Sequence, residues 1–363
     1  MNNALQIVLQ VVITILVFGF LIFIHEFGHY ITARIFKISI TEFSIGMGPR
    51  LVWFNSKKTG IRYSLAMLPI GGFVSMVGEN EDSEDPNAFN KKPAWQRFIV
   101  TAAGASVNLI FGFVAMIVLT CILNIGNTTI GGFYTDEYLA EEYSDAELDL
   151  THRSSEWLQV GDTVTHVDGK RVKIWDELVY EVMRKGNEPV DVTVIHSDGS
   201  EQTLEDVVFP VLASQGQFFG QVDFGPSALI EKNPLNVISV SFRKSFLTMR
   251  MVWESLIDLI TGRYTLAAVS GPVGISEAIG EAASYGVPSV LNTVVIISIN
   301  LGIMNLLPIP ALDGGRLAVL VAEMITRKKI PPKVEAIING VGLGVLLLLS
   351  AIILVKDIVG LFI

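Results

Sequence analysis

Four stretches of the chain run without a charged side chain for long enough to cross a bilayer, which takes about 20 residues. They are Ala4–Ile24, Phe98–Ile122, Val287–Leu312 and Ala336–Val355, and each predicts a membrane helix. Between the first two, "ISITEFSIGMGPRLVWF" and "GIRYSLAMLPIGGFVSMV" are rich in β-branched and aromatic residues and flank "NSKKTG". That pattern predicts a β-hairpin over 38–77, apolar enough to lean into the membrane. A polar loop, Gly78–Pro93, follows. From residue 127 the runs shorten. "WLQVGDTVTHVDGKRV" and "PVDVTVIHSDGSEQTLEDVVF" read as strands around Asp-Gly turns, bracketing the short amphipathic helix "IWDELVYEVMRKG". The acidic stretch over 134–149 precedes them. Residues 233–286 carry "VISVSFRKSFLTMRMVWESLIDLI", helical in period but charged, so a helix lying along the membrane surface is expected rather than a fifth span. "SGPVGI" breaks it. The chain thus divides into an N-terminal membrane half (1–126), a β-rich insert (127–232), an interfacial linker (233–286) and a C-terminal membrane half (287–363). The fold class is a polytopic α-helical membrane protein with four transmembrane helices.

Composition agrees with the membrane class: half of the 363 residues are hydrophobic, 17% are charged, and the net charge of -10 leaves no basic face for nucleic acid. The single cysteine, Cys121, excludes an intrachain disulfide. No Lys or Arg precedes Arg34, so the first run lacks the basic start of a cleaved signal and reads as a retained span. Residues 34–97 carry nine Lys and Arg, and Arg316–Glu335 five, against seven in the 109 residues of Asn124–Lys232. By the positive-inside rule the first and third connections are cytoplasmic and both termini extracytoplasmic.

The chemistry lies at the end of the first run, in "FLIFIHEFGHY". On a helix His25 and His29 share a face at i and i+4, so both imidazoles reach one zinc ion, with Glu26 beside them as a base for water. Ionisable groups in a lipid-facing helix are costly and point to function. Two histidines leave a catalytic zinc one protein ligand short. The third run ends "NLGIMNLLPIPALDGGR": Pro308 and Pro310 forbid continuous helix, and Asp313 follows at the depth of His29. Broken helix at that depth needs protein or a water cavity around it, so the two segments are expected to build one hydrated pocket at the cytoplasmic edge. Asn305 and Asn108 read equally as donors to a substrate carbonyl and as helix-packing amides. Gly104 and Ala105 suggest close helix contact, Asn339 reads as packing, and His152, His166 and His196 as surface residues.

With "HEFGH" and "NLLPIPALDG" the chain resembles the site-2 protease family of zinc intramembrane proteases, in the arrangement of the bacterial regulator of sigma-E protease type. "VGDTVTHVDGKRV" is similar to the core of a PDZ domain. The resemblance implies His25, His29 and Asp313 as zinc ligands, Glu26 as catalytic base, and Asn108 and Asn305 as substrate contacts. A hairpin strand over Ile70, Gly71, Gly72 and Phe73 would pair with an unwound substrate. It implies a bacterial inner-membrane enzyme that cuts single-span proteins such as anti-sigma factors, or remnant signal peptides, after a site-1 type protease has acted. A single PDZ-like unit fits between 127 and 232, where relatives carry two, and a size filter is its family-based role. Two other classes fit parts of the pattern. One is a PDZ-bearing membrane scaffold or receptor with a structural or inactive metal site, for which the Glu26 base has no use. The other is a prenyl-protein type of membrane zinc protease, whose third ligand is a helical Glu.

Overall fold

A computed structural model of the chain describes residues 3–79, 81–143, 147–214, 217–263 and 269–360. Two compact units are present: Met1–Met116 with Thr248–Ile363, and Ile117–Leu247. Residues 144–146 of the acidic stretch and 264–268 of the linker lie outside the described residues.

The first unit is built on long apolar helices: α1 (Asn3–Ile35), α2 (Ala94–Ile122), α7 (Val287–Leu306) and α9 (Pro332–Gly360). Four helices among the described residues are long and apolar enough to cross a membrane, over Ile7–Ile35, Ala94–Ile122, Val287–Leu306 and Val334–Gly360. Their outer faces carry exposed leucine, isoleucine and valine, such as Leu16, Ile110, Val118 and Leu348, the surface lipid requires. Hydrophobicity cannot drive such helices together, so close approach at small residues must. Gly28 sits against the Ala103 carbonyl, Gly112 against Ile299, and Gly302 against Leu109; a Cβ at any of them would come within 2.7 Å of its neighbour.

α1 runs well past the predicted span end at Ile24, so the histidine motif lies inside one unbroken helix. α7 stops at Leu306, short of the predicted Leu312, because Pro308 and Pro310 cannot continue it. The chain turns through Ala311 at φ +74, where the Asn339 side chain accepts from the Ala311 N–H at 3.2 Å, and re-enters helix as α8 (Asp313–Thr326). α8 occupies ground that the charge pattern marks only as a connection. Its Glu323 pairs with Arg97 of α2 at 2.6 Å, with both side chains buried. A further helix, α6 (Pro272–Ser284), lies where the pattern predicts a break and a linker; it starts with Pro at its first position, where the missing N–H costs nothing. It packs on α1, α7 and α9. Ser276 lies 3.1 Å from Thr14 of α1, and the Asp357 carboxylate of α9 accepts from the Gly274 N–H at 3.2 Å.

Between α1 and α2, strands β1 (Ile40–Asn55) and β2 (Arg62–Met76) pair antiparallel, but not as a plain hairpin. Residues 42–45 pair with 72–75 on one side and with 62–65 on the other, and 62–65 also pair with 52–55. The result is a small sheet with the spatial order 52–55, 62–65, 42–45, 72–75. The doubling back is made at Gly46, Gly48 and Gly71, all at positive φ, a region open to glycine without strain. Glu42 ties the layers: Arg50 donates to both carboxylate oxygens at 2.7 Å, and Ser64 donates at 2.7 Å. The Arg50 hydrogen bonds hold the Glu42 carboxyl below the usual carboxylate range. Beneath the sheet, Ile38, Ile40, Phe43, Val74 and Met76 pack with Ala33 of α1 and Val100 of α2.

The second unit contains β3 (Ile130–Phe133), α3 (Asp136–Glu142), β4 (Glu147–Asp149), β5 (Thr163–Val167), β6 (Lys170–Arg171), α4 (Trp175–Lys185), β7 (Val190–Ile195), β8 (Glu201–Val207), β9 (Val211–Ser214), β10 (Gln217–Gly220) and β11 (Phe224–Pro226). Its sheets run β6-β5-β7-β8, β10-β9-β4 and β11-β3. Alternation in "VDVTVI" buries Val190, Val192 and Val194, and these meet Leu178 and Val182 of α4 in one core with Ile130, Leu158 and Phe224. The Asp168-Gly169 turn has both residues at positive φ. Helix α5 (Pro234–Thr261) leads the chain out of this unit.

Candidate metal centre

His25 and His29 stand one helical turn apart on α1, with the Nε2 atoms 3.3 Å from each other. Asp313, the first residue of α8, brings Oδ2 to 3.2 Å from His25 Nε2 and 3.2 Å from His29 Nε2. The three donor atoms therefore form a nearly equilateral triangle. Ligands bound about 2.0–2.1 Å from a tetrahedral ion stand about 3.3–3.4 Å apart, so the triangle has the size of one face of a zinc coordination shell. Asp313 Oδ2 is buried, and its polar neighbours are the two ring nitrogens, all three turned to one point as donors to a shared cation would be. These are also the one His/Cys/Asp/Glu group among the described residues with the spacing to hold a metal. The donor set suits zinc: two imidazoles, one carboxylate and an open fourth position.

The surrounding chain holds the triangle in place. His29 Nδ1 lies 2.8 Å from the Val100 carbonyl. A carbonyl only accepts, so the proton sits on Nδ1 and the Nε2 lone pair faces the centre. Gly104, one turn further along α2, leaves room for that centre: a Cβ there would stand 2.8 Å from His25 Nε2 and nearer still to His29 Nε2. Gly314 and Gly315 pack on the backbone carbonyls of Leu306, Leu307 and Ile309 more closely than any Cβ allows, which brings α8 back against the broken end of α7.

Glu26 shares a cavity of about 150 Å³ with His25, His29, Asp313, Gly72, Phe73, Thr101, Glu79 and Arg316. Gly72 is on the outer row of the sheet, and a Cβ there would come within 2.9 Å of both Glu26 Cγ and the Ser44 carbonyl. The sheet edge thus passes directly beside Glu26. Ile70 and Gly71 precede Gly72 in β2. Arg316 pairs with Glu79 at the margin of the cavity. Asn108 is fully buried, and its amide nitrogen lies 3.2 Å from His25 Nδ1. Asn305, near the end of α7, is half-buried and does not line the cavity. The sequence names Gly72 as part of the strand expected to meet a substrate, and gives no sign of the Val100 carbonyl or of where Gly104 sits. Gly104 reads as close helix packing, and the surface it packs on is the pair of imidazoles; a backbone carbonyl has no signature in a sequence.

Residues 13–349 match Peptidase family M50. A "Putative zinc metalloprotease" of Fusobacterium nucleatum is 32% identical over 363 residues, covering 96% of this chain and 98% of the relative. A protein of the same description from Clostridium perfringens is 33% identical, covering 97% and 99%. The "Regulator of sigma-W protease RasP" of Bacillus subtilis is 28% identical, covering 97% and 99%. The chain belongs to Peptidase family M50. It is a zinc metalloendopeptidase of the site-2 protease type, and its four apolar helices make it a membrane protein.

Proposed function

We propose that His25, His29 and Asp313 hold the zinc ion and that Glu26 is the catalytic base of an intramembrane endopeptidase that cuts transmembrane segments of single-span proteins. The observation that carries the assignment is the triangle of donor atoms with sides of 3.2–3.3 Å. When bound, zinc makes water acidic enough to ionise near neutral pH and polarises the peptide carbonyl. Glu26 takes the proton from the attacking water and delivers it to the leaving amine nitrogen as the C–N bond breaks. A helical peptide bond is shielded by its own hydrogen bonds, so the substrate must be extended first. The free edge of β2 at Gly72 and Phe73, continuing from Ile70 and Gly71, offers backbone groups for an added strand beside Glu26.

In this reading the first and third connections face the cytoplasm, the enzyme sits in the bacterial inner membrane with both termini outside, and the centre lies near the cytoplasmic face. The β1–β2 sheet leans into the bilayer, and α5 follows its surface. Residues 127–232 form a PDZ-like domain outside that excludes substrates with bulky outer domains. Substrates are anti-sigma factors or remnant signal peptides already shortened by a first extracytoplasmic protease. Asn305, half-buried near the end of α7, contacts the substrate once the segment enters. The test is Glu26→Gln with a membrane-embedded reporter substrate. Cleavage is expected to vanish while zinc stays bound, and unchanged cleavage removes Glu26 as the base.

A further inference from the structure

One face of α2 bears on the metal centre at three successive turns. Val100, Gly104 and Asn108 are spaced i, i+4 and i+8, so they line up along the helix. Val100 fixes the tautomer of His29 through its carbonyl, and Gly104 leaves the space between the two rings. Asn108 meets the Nδ1 atom of His25 at 3.2 Å from a fully buried position, and its backbone carbonyl accepts from Ser298 Oγ of α7 at 2.8 Å.

We propose that Asn108 is a positioning residue that sets the tautomer of His25 and so aims its Nε2 lone pair at the metal. The inference rests on the reading of His25 as a ligand. If Nε2 binds a cation, Nδ1 must carry the ring proton and donate it. The group that satisfies such a ring is an acceptor, and the amide oxygen of Asn108 becomes one by a half-turn about its terminal bond, which leaves the shape of the side chain unchanged. In the opposite orientation the amide nitrogen faces Nδ1, and Oδ1 is buried without a partner. That arrangement suits a ring protonated at Nε2, which lies 3.2 Å from Asp313 Oδ2. An amide is the side chain that serves both states, because it offers a donor at one end and an acceptor at the other. The Ser298 hydrogen bond ties this stretch of α2 to α7, so the amide is presented from a fixed backbone.

The test measures zinc affinity of the detergent-solubilised full chain by competition with a fluorescent chelator, for wild type, His25→Ala, Asn108→Leu and Asn108→Asp. Leucine keeps the volume but cannot accept the Nδ1 proton, and zinc is expected to bind about 10–100-fold more weakly, as when other outer partners of metal-bound histidines are lost. Aspartate accepts but does not donate, and affinity is expected to stay near that of the wild type. Undiminished affinity in Asn108→Leu, with affinity lost in His25→Ala, overturns the role of Asn108 and leaves the metal centre standing. Undiminished affinity in His25→Ala overturns the metal-centre reading itself, and this inference with it. If the leucine variant does not fold, Asn108→Asp decides alone: retained zinc supports the acceptor role and lost zinc overturns it.

Discussion

Gly104→Ala separates the cost of folding from the cost of binding metal. In a helix the change from glycine to alanine is favourable by about 1 kcal/mol, so nothing in the backbone of α2 opposes it. The added methyl would lie 2.8 Å from His25 Nε2, roughly 0.6–1.2 Å inside ordinary contact distance, and deeper still against His29 Nε2. Without metal the rings can tilt away from the methyl by straining their Nδ1 contacts to the Val100 carbonyl and the Asn108 amide, a cost that the gain of about 1 kcal/mol in the helix offsets. With zinc bound they cannot, because metal–ligand distances hold to about ±0.2 Å. Overpacking of this size costs about 1–3 kcal/mol, and here most of it falls on the bound state. At 1.4 kcal/mol per tenfold, zinc affinity should drop about 5- to 150-fold. Chelator competition reads the affinity, and thermal unfolding of the zinc-free protein reads the fold. A Gly104→Ala protein that binds zinc as tightly as wild type would refute the placement of the metal between the two rings; lower stability without zinc would refute the division of costs.

Other perturbations probe different layers. Gly72→Val should cut cleavage of a membrane reporter at least tenfold, because the side chain collides with Glu26 and the Ser44 carbonyl; unaltered zinc content would locate the defect at the sheet edge. Glu323→Ala leaves Arg97 buried without its carboxylate and should destabilise the fold by about 3–5 kcal/mol, whereas the double change to leucine should recover most of the loss; detergent unfolding measures both. In the second unit His196 lies 2.7 Å from the buried Asp162 carboxylate, and that hydrogen bond raises its pKa. A raised folded-state pKa means stabilisation that is complete below the unfolded value near 6.5 and fades as pH climbs through the folded value. Hydrogen-exchange protection of the turn at 196–200, corrected for intrinsic rates, should therefore fall as pH rises above about 6.5, and His196→Gln should flatten the response.

What could be read beforehand was whatever is encoded locally. Charge-free length predicts four spans, and i, i+4 spacing puts His25 and His29 on one face. The two prolines before Asp313 announce the break in α7. What escaped reading depends on partners distant in sequence. Residues 42–45 carry nothing to say that they pair on both sides at once, since the doubling follows from how Gly46, Gly48 and Gly71 bend. Asn108 reads alike as a substrate contact or as packing, because only the position of α1 decides that its amide meets His25. α6 did have a signal, Gly271 followed by Pro272 at a helix start, but "SGPVGI" read as a break with nothing after it.

Asp313 is the opening residue of α8, while the other two members of the triangle belong to α1. Assembly of the centre is thus a vote taken by two separate segments, and one can abstain without the other losing its shape. Fragments of the chain that end before α8 would carry both imidazoles and lack the carboxylate. The donor set is therefore finished late in synthesis, since Asp313 lies within the last 51 of the 363 residues.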